Sequence, residues 1–285
     1  MMANSLNTSF QPILPQPFLK WPGGKRRLVS QIRAAMPDEF GTYFEPFIGG
    51  GAVFFDHVPP GAFISDFNPE VANVYNVVKH KVWELMSDLR RHPIDKKYYY
   101  RLRNADRSPD FQQWDAVKRA SRFIYLNKTT FNGHVRVNSR GFANNAFGHP
   151  QPKSLFDADN LLACHHALRQ TRIWQGCFTM VENLPKGGDF VYFDPPYVPK
   201  TNALSPRAAV EYTHVNFGSD MQLKLKELCD RLDKRGVRFM VSNTACPFID
   251  ELYGNYRVQR VNIRHVFSAK GSQRNMTQEA LVTNY

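Results

Sequence analysis

A chain of 285 residues, 42% hydrophobic and 22% charged, can bury a large core, which excludes an intrinsically disordered protein. Its apolar runs fall short of the ~18 to 20 residues that span a bilayer, and the polar, proline-rich segment 1–17 lacks the basic start and apolar centre of a secretion signal. The four cysteines form neither a Cys-x-x-Cys pair nor a Cys/His metal spacing, so we expect a reduced, cytoplasmic environment and no bound metal.

The net charge of +12 is concentrated in the middle of the chain. Residues 79–172 contain 18 Lys and Arg against 8 Asp and Glu, whereas the rest of the chain contains 19 against 17. A basic block inside a nearly neutral frame indicates an insert that binds a polyanion. A solvated, lysine-rich helical surface would give the same count, and charge alone does not separate the two interpretations.

The first motif, residues 18–25, places Trp21 and Lys25 around a Gly-Gly pair just before a helical pattern. Gly-Gly-Lys before a helix suggests a phosphate loop, but the full G-x-x-x-x-G-K-[ST] pattern is missing, so nucleotide hydrolysis is not predicted. The segment offers a flat ring and a cation beside a glycine bend.

A strand, a glycine turn and a helix follow at residues 42–47, 48–51 and 52–57. Glycines allow a tight bend and let a ligand approach the backbone, as in dinucleotide-binding folds, although the turn is not the G-x-G-x-x-G of nicotinamide enzymes. The next predicted strand, 62–66, ends in Asp66. In such folds an acid at this point accepts hydrogen bonds from ribose hydroxyls, which we favour over the alternative of an N-cap for a helix starting near Pro69.

The middle of the chain is helical in pattern from 71 to about 126 and irregular from 127 to 148. The irregular stretch is rich in Asn and Gly and interleaves Arg with Phe. Asn, Arg and Lys read base edges, and an aromatic ring can stack on bases or wedge between them. Generic loops are also rich in Asn and Gly, but the position inside the basic block favours nucleic acid.

The apolar run 190–193 predicts a buried strand that leads into Asp194, Pro195, Pro196 and Tyr197. An acid at the carboxyl end of a strand lies where open α/β sheets bind ligands. The prolines stiffen the turn, so the tetrapeptide offers two fixed acceptors and one ring. The alternative is a simple Pro-Pro turn that closes a strand.

The remaining patterns predict short elements and one long loop. Residues 198–218 show no period and, directly after a candidate site, are typical of a lid. We predict helices at 161–170, 221–232 and 248–253, strands at 178–180 and 238–242, and a terminal strand pair at 257–266 and 280–285.

Four motifs in this order resemble the Dam-type (class alpha) DNA adenine-N6 methyltransferase family: residues 18–25, Glu-Pro-Phe-Ile-Gly-Gly-Gly at 45–51, Asn-Gly-x-x-Arg-x-Asn at 132–138, and Asp-Pro-Pro-Tyr at 194–197. The similarity covers nearly the whole chain after about Phe18. It implies an α/β fold, a Rossmann-like S-adenosylmethionine-dependent methyltransferase sheet with a C-terminal strand pair and an inserted, mainly helical DNA-recognition domain. The catalytic domain would comprise 1–78 and 173–285, and the insert 79–172.

The resemblance also implies S-adenosylmethionine as methyl donor, no metal, and double-stranded DNA as partner, with GATC or a similar short site as target. We expect a monomer in the cytoplasm that associates with the nucleoid by binding DNA. The implied catalytic residues are Asp194, Pro195 and Tyr197. The implied cofactor-binding residues are Trp21, Lys25, Phe47, Gly49, Gly51, Asp66 and Asp194. The implied DNA-binding residues are Lys20, Phe131, Asn132, His134, Arg136 and Asn138. His134 and Val135 depart from the residues commonest in the family, as does Asn-Ala-Phe-Gly at 145–148.

The chemistry implied is methylation of an adenine amino group that has been flipped out of the duplex. Two alternatives remain open: an RNA adenine-N6 methyltransferase, and a non-catalytic DNA-binding protein that retains the fold. A protein amide methylase is disfavoured, because such enzymes usually have Asn in place of Asp194 and because the insert is basic. The sequence does not separate restriction, phage and housekeeping methylation.

Overall fold

The computed structural model describes residues 13–21, 23–133, 135–150, 154–197, 217–264 and 276–285. Its seven strands form one sheet in the order β3-β2-β1-β4-β5-β7-β6. The strands are β1 (Tyr43–Glu45), β2 (Phe63–Asp66), β3 (Arg172–Gln175), β4 (Phe190–Phe193), β5 (Arg238–Thr244), β6 (Arg257–Arg264) and β7 (Met276–Thr283). Strands β1 to β5 run parallel, and β7 is antiparallel to both of its neighbours.

Both faces of this sheet are covered, because alternate side chains of the central strands enter two different hydrophobic clusters. Tyr192 and Met240 belong to the cluster on one face, and Val191 and Val241 to the cluster on the other. All four residues of β4 are buried. A continuous apolar run is therefore the expected signature of this strand, and the prediction for 190–193 is confirmed.

Nine α-helices within the described residues flank the sheet: α1 (Val29–Ala35), α2 (Ala52–His57), α3 (Pro69–His80), α4 (Val82–Leu89), α5 (Lys96–Arg103), α6 (Ala116–Thr129), α7 (Ala158–Leu168), α8 (Ser219–Lys234) and α9 (Pro247–Leu252). Side-chain caps define several starts: Asn68 accepts a hydrogen bond from the backbone N–H of Glu70 at 2.9 Å, and Asp115 caps α6 in the same way. Within the described ranges, no helix is both long enough and apolar enough to cross a membrane.

The order of the strands creates a switch point between β1 and β4. From β1 the chain proceeds outward through β2 to β3, and it then returns to β4 and proceeds the other way to β5. In open α/β sheets, ligands bind in the crevice outside the carboxyl ends of the strands at such a point. The glycine turn follows β1 and Asp194 follows β4, so the fold brings these two motifs to the same crevice.

One predicted strand is wrong. Residues 178–180 lie in a 3-10 helix, Phe178–Glu182, and the strand of this region is β3, which the sequence analysis missed. Strand β3 is at the edge of the sheet and most of its side chains are exposed, so it lacks the apolar alternation that marks a half-buried strand. The neighbouring Phe178 is buried and made the wrong segment look like a strand.

The segment 79–172 contributes α4 to α7 and the connections between them. Helices α4, α6 and α7 place Leu85, Phe123 and Leu161 in the same hydrophobic cluster as Val74 of α3. Helix α5 and the loop after α6 form a smaller cluster of their own around Tyr99 and Tyr125. The segment is thus mainly helical, as predicted. Of the predicted lid at 198–218, residues 198–216 lie outside the described residues.

Candidate active site

A cleft of about 320 Å³ opens at the carboxyl ends of β1, β2 and β4. Every residue assigned to the cofactor from sequence lines it: Trp21, Lys25, Phe47, Gly49, Gly51, Asp66 and Asp194. Pro195 and Tyr197 line it as well. The structure therefore brings together motifs that are far apart in the chain, such as Lys25 and Asp194, which are separated by 169 positions.

The glycine turn after β1 is held in a conformation that only glycine adopts readily. Gly49 and Gly51 have φ angles of +45° and +69°, both in the left-handed region. A Cβ on Gly49 would lie 2.5 Å from the Trp21 indole nitrogen, and one on Gly51 would lie 2.5 Å from the Tyr75 hydroxyl. Trp21 thus packs directly on the turn and closes one side of the cleft.

The Asp66 carboxylate, at the end of β2, braces the same turn. One oxygen accepts a hydrogen bond from the backbone N–H of Gly49 at 3.0 Å, and the other accepts from that of Asn68 at 2.8 Å. Burial raises the pKa of Asp66 to about 6. Asn68, not Asp66, caps α3, so the capping alternative is wrong. Each carboxylate oxygen can accept a second hydrogen bond from a ligand in the cleft.

Lys25 and Asp194 form an ion pair in the cleft, in which Lys25 is buried and Asp194 is partly exposed. The Lys25 side chain is only 3% exposed, and its ammonium also donates to the Gly23 carbonyl at 3.2 Å and lies 4.5 Å from the centroid of the Tyr197 ring. Burial raises the pKa of Asp194, and the Lys25 charge opposes that rise. Lys25 therefore favours the ionised form of Asp194 and fixes the position of one of its oxygens.

The Asp-Pro-Pro-Tyr turn is anchored from behind by two further elements. Gln222 of α8 donates its amide to the Pro196 carbonyl at 3.1 Å, and Asn243 of β5 donates to the Gln222 side chain at 3.1 Å. The Pro195 carbonyl is without a bonded donor among the described residues, and Pro195 and Asp194 both line the cleft.

Glu45 is a site residue that the sequence analysis mentioned only as part of a motif. It lies at the end of β1, is 3% exposed and lines the cleft, and the Tyr43 hydroxyl donates to it at 2.8 Å. Burial raises the pKa of Glu45 well above its usual value, and the nearby Asp194 raises it further. Its presence as an acidic residue inside a predicted buried strand was the sequence signal that could have identified it as a site residue.

An aromatic wall forms part of the cleft lining. Phe47 stacks on Phe178 with centroids 5.4 Å apart and meets Phe217 edge-on at 5.6 Å. Phe178 and Phe217 were not assigned to the site from sequence. The sequence pattern predicts a strand at Phe178, and Phe217 stands just before α8 without a local pattern that would identify it.

The loop after α6 folds as an irregular antiparallel hairpin. Thr130 pairs with Phe147 and Val137 with Ala143. Phe131 is 64% exposed in the short 3-10 helix Phe131–Gly133, and Arg136 is also exposed. The side chain of Asn132 and the whole of His134, both assigned to DNA from sequence, lie outside the described part of the chain. The hairpin thus presents an aromatic ring and a guanidinium to the solvent.

Asn138 has a structural task within this hairpin. Its side-chain oxygen accepts from the backbone N–H groups of Arg140 and Phe142, at 3.0 and 3.1 Å, and so shapes the turn. Helix α5 holds the returning strand, because Arg103 donates to the Asn145 carbonyl at 2.9 Å and the Tyr99 hydroxyl donates to the same carbonyl at 3.0 Å. The hairpin is therefore fixed to the helical segment at several points.

Asn127 joins the hairpin to the first motif. Its side chain accepts from the Lys20 N–H at 2.8 Å and donates to the carbonyls of Lys20 and Gly133, at 2.7 and 2.9 Å. Lys20 thus lies close to Phe131, and both residues were assigned to DNA binding from sequence. Burial, together with the nearby charges of Lys20 and Arg26, lowers the pKa of the adjacent Lys128 to about 8.

No group of three or more His, Cys, Asp or Glu side chains within the described ranges could hold a metal ion.

Comparison with known proteins identifies relatives of the whole arrangement. A family model described as "D12 class N6 adenine-specific DNA methyltransferase" matches residues 21–268. The chain is 36% identical over 274 residues to the type II methyltransferase M1.LlaDCHI of Lactococcus lactis subsp. cremoris, covering 95% of each chain. It is 30% identical over 281 residues to the DNA adenine methylase of Haemophilus influenzae, covering 93% of this chain and 92% of that one. The DNA adenine methylase of Escherichia coli is also 30% identical, with 93% of each chain covered.

Proposed function

Since the chain belongs to the D12 class of N6 adenine-specific DNA methyltransferases, we propose that it transfers a methyl group from S-adenosylmethionine to N6 of an adenine flipped out of a short duplex site, GATC or similar. The observation that supports this most directly is the ion-paired Asp194, which faces the glycine turn across one cleft. The two halves of a methyl transfer, a donor pocket and a nucleophile pocket, would meet there.

The residues of the cleft fit the proposed methyl donor. The glycine turn lines the cleft with backbone rather than with side chains, and Asp66 can accept the hydrogen bonds of two ribose hydroxyls. The wall of Phe47 and Phe178 offers an apolar surface for an adenine ring. When bound, S-adenosylmethionine supplies a methyl group on a positively charged sulfur, and the acidic side chains of the cleft favour that charge.

Asp194 and the Pro195 carbonyl would activate the target amino group. The lone pair of an adenine amino nitrogen is delocalised into the ring, so the nitrogen is a poor nucleophile. Two fixed acceptors that receive hydrogen bonds from the two N–H groups favour a pyramidal nitrogen with its lone pair directed at the methyl group. The Asp194 charge also stabilises the positive charge that develops on nitrogen, and Tyr197 would stack on the flipped base.

The hairpin and Lys20 would read the DNA, with the segment 79–172 acting as the recognition domain. The exposure of Phe131 suits a ring that enters the base stack, and an exposed Arg136 can pair bidentately with guanine O6 and N7. The net positive charge of this segment would attract the phosphate backbone. Lys20, held against the hairpin by Asn127, would approach the same duplex.

Methyl transfer by Asp194→Ala tests the catalytic proposal. We expect no detectable transfer of tritiated methyl from S-adenosylmethionine to duplex DNA, with much of the duplex binding retained, and the same for Tyr197→Ala. Asp38→Ala, an exposed carboxylate remote from the cleft lining, is the matched control and should behave as the wild type. Full transfer by Asp194→Ala would disprove the mechanism.

Base readout by Arg136 is tested separately, by methylation of duplexes that carry single substitutions in the target site. Arg136→Ala should lose about 1 to 3 kcal/mol of discrimination at one guanine position only. A uniform loss across all sites would identify a phosphate contact instead.

Competition by stem-loop RNA against duplex DNA distinguishes the alternative of an RNA methyltransferase. Single-molecule sequencing of DNA from a methylation-free host that expresses the protein would identify the target site itself.

A further inference from the structure

The C-terminal strand pair reaches the active site through Glu279 of β7. The Tyr197 hydroxyl donates a hydrogen bond of 2.5 Å to a carboxylate oxygen of Glu279. Glu279 is only 6% exposed and sits inside the sheet, in register with Thr244 of β5 and Val261 of β6. Nothing in the sequence motifs pointed to this residue, which is 82 positions from Tyr197.

The Tyr197 ring is thereby fixed at two points. Glu279 holds the hydroxyl end, and the Lys25 ammonium lies 4.5 Å from the ring centroid. Lys25 in turn pairs with Asp194, so the ring is tied to the carboxylate that would accept the amino hydrogens. The aromatic surface and the acceptor are therefore held in one relative orientation before any base arrives.

A charged acceptor is well suited to this anchoring. Hydrogen bonds to a carboxylate are shorter and stronger than those to a neutral oxygen. Burial, with the nearby charges of Asp194 and Glu279, raises the pKa of Tyr197 well above its usual value, so the phenol remains a neutral donor. A strand inside a seven-stranded sheet is also a more rigid support than the turn on which Tyr197 stands.

We propose that Glu279 is a positioning residue for methyl transfer, which fixes the Tyr197 ring as the stacking surface for the flipped adenine. This rests on the proposed function, because the base that stacks is the one that is methylated. Glu279 acts through Tyr197 and touches neither the base nor the methyl donor. Its removal should lower the rate of the methyl-transfer step while leaving cofactor affinity unchanged.

The experiment is a double-mutant cycle in single-turnover methylation of duplex DNA, with the variants Glu279→Ala, Tyr197→Phe and their combination. Each single variant should lower the rate about tenfold or more, as loss of orientation does, and the combination should be no slower than either one. Glu279→Gln, whose side-chain oxygen still accepts the hydrogen bond, should keep most of the wild-type rate. Calorimetric titration with S-adenosylmethionine should give the wild-type affinity for every variant.

A fluorescent readout separates positioning from a merely structural role. With 2-aminopurine at the target position, stacking on Tyr197 quenches the flipped base, so Glu279→Ala and Tyr197→Phe should both give a brighter complex. Full activity of Tyr197→Phe would overturn the proposal, even if Glu279→Ala failed to fold. Equal losses from Glu279→Ala in the wild-type and Tyr197→Phe backgrounds would overturn it too. If the wild type itself transferred no methyl group to duplex DNA, the proposed function would fail instead.

Discussion

Replacing Asp66 with Asn should stabilise the free protein and at the same time weaken its binding of S-adenosylmethionine. Burial raises the pKa of Asp66 from 3.8 to about 6. At 1.36 kcal/mol per pKa unit, keeping the buried carboxylate ionised costs the folded state at most about 3 kcal/mol above pH 6. Asn carries no charge, but its amide would face one of the two backbone donors and lose that hydrogen bond, worth about 1 kcal/mol. The net gain is about 1 to 2 kcal/mol.

The pH dependence of this gain has a definite sign. Between about pH 4 and pH 6 the carboxyl of the unfolded chain loses its proton while the folded one keeps it, so the wild type loses stability as the pH rises through that window. The Asp66→Asn variant has no group to titrate there. The variant should therefore be slightly less stable than the wild type near pH 4, because of the lost hydrogen bond. Its stability relative to the wild type should rise up to about pH 6 and then stay constant, at about 2 to 4 °C in melting temperature per kcal/mol.

Two measurements check this prediction. Thermal unfolding from pH 4 to 7.5 reports stability, and calorimetric titration at pH 7.5 should show cofactor binding weakened by about 10- to 100-fold, because hydrogen bonds to a charged acceptor contribute about 1.5 to 3 kcal/mol. Asp38→Asn, at an exposed site, should change neither quantity. A variant that is no more stable at pH 7 than at pH 4, or that binds the cofactor normally, would refute the reasoning.

Three further substitutions probe the parts around the cleft. Lys128→Met should raise the melting temperature at pH 7, because the folded state holds a lysine whose pKa is lowered to about 8, and thermal unfolding should show the gain shrinking as the pH rises from 8 toward 10. Gly51→Ala should lower stability by about 1 to 3 kcal/mol in denaturant unfolding and weaken cofactor binding, since its φ is +69° and its Cβ would meet the Tyr75 hydroxyl. Asn127→Ala removes three hydrogen bonds that join Lys20 to the hairpin, so fluorescence titration should show weaker duplex binding while calorimetry shows unchanged cofactor affinity.

The elements that sequence predicted well are those with a strong local pattern. The apolar run of β4 and the glycine turn before α2 could be located, because consecutive apolar residues indicate a buried strand and consecutive glycines indicate a turn. Strand β3 could not, because an exposed edge strand with an Arg, a Trp and a Gln needs no apolar alternation. Its place is determined by pairing with β2, which is a long-range property.

In the candidate site, too, the features with a local sequence pattern were predictable and the long-range contacts were not. Asp66 and Asp194 were identifiable because each ends a predicted strand, where α/β folds bind ligands. The contacts that set the chemistry of the site were not, since the ion pair of Lys25 with Asp194 and the hydrogen bond of Tyr197 with Glu279 form only when distant segments meet. A sequence motif names the reacting groups, and the tertiary structure determines their charge and orientation.

The pairing of β1 with β4 also constrains how the protein folds. Tyr43 lies opposite Phe190, so about half of the chain must be closed into a loop before these strands can join. Such distant pairings form slowly, because the entropy of closure is lost before the contacts are gained. The glycine turn and Asp194 lie on the two strands that this step unites, so an intermediate in which only β1 and β2 have paired has no complete cleft. Cofactor should therefore act on the unfolding rate rather than on the early steps of refolding.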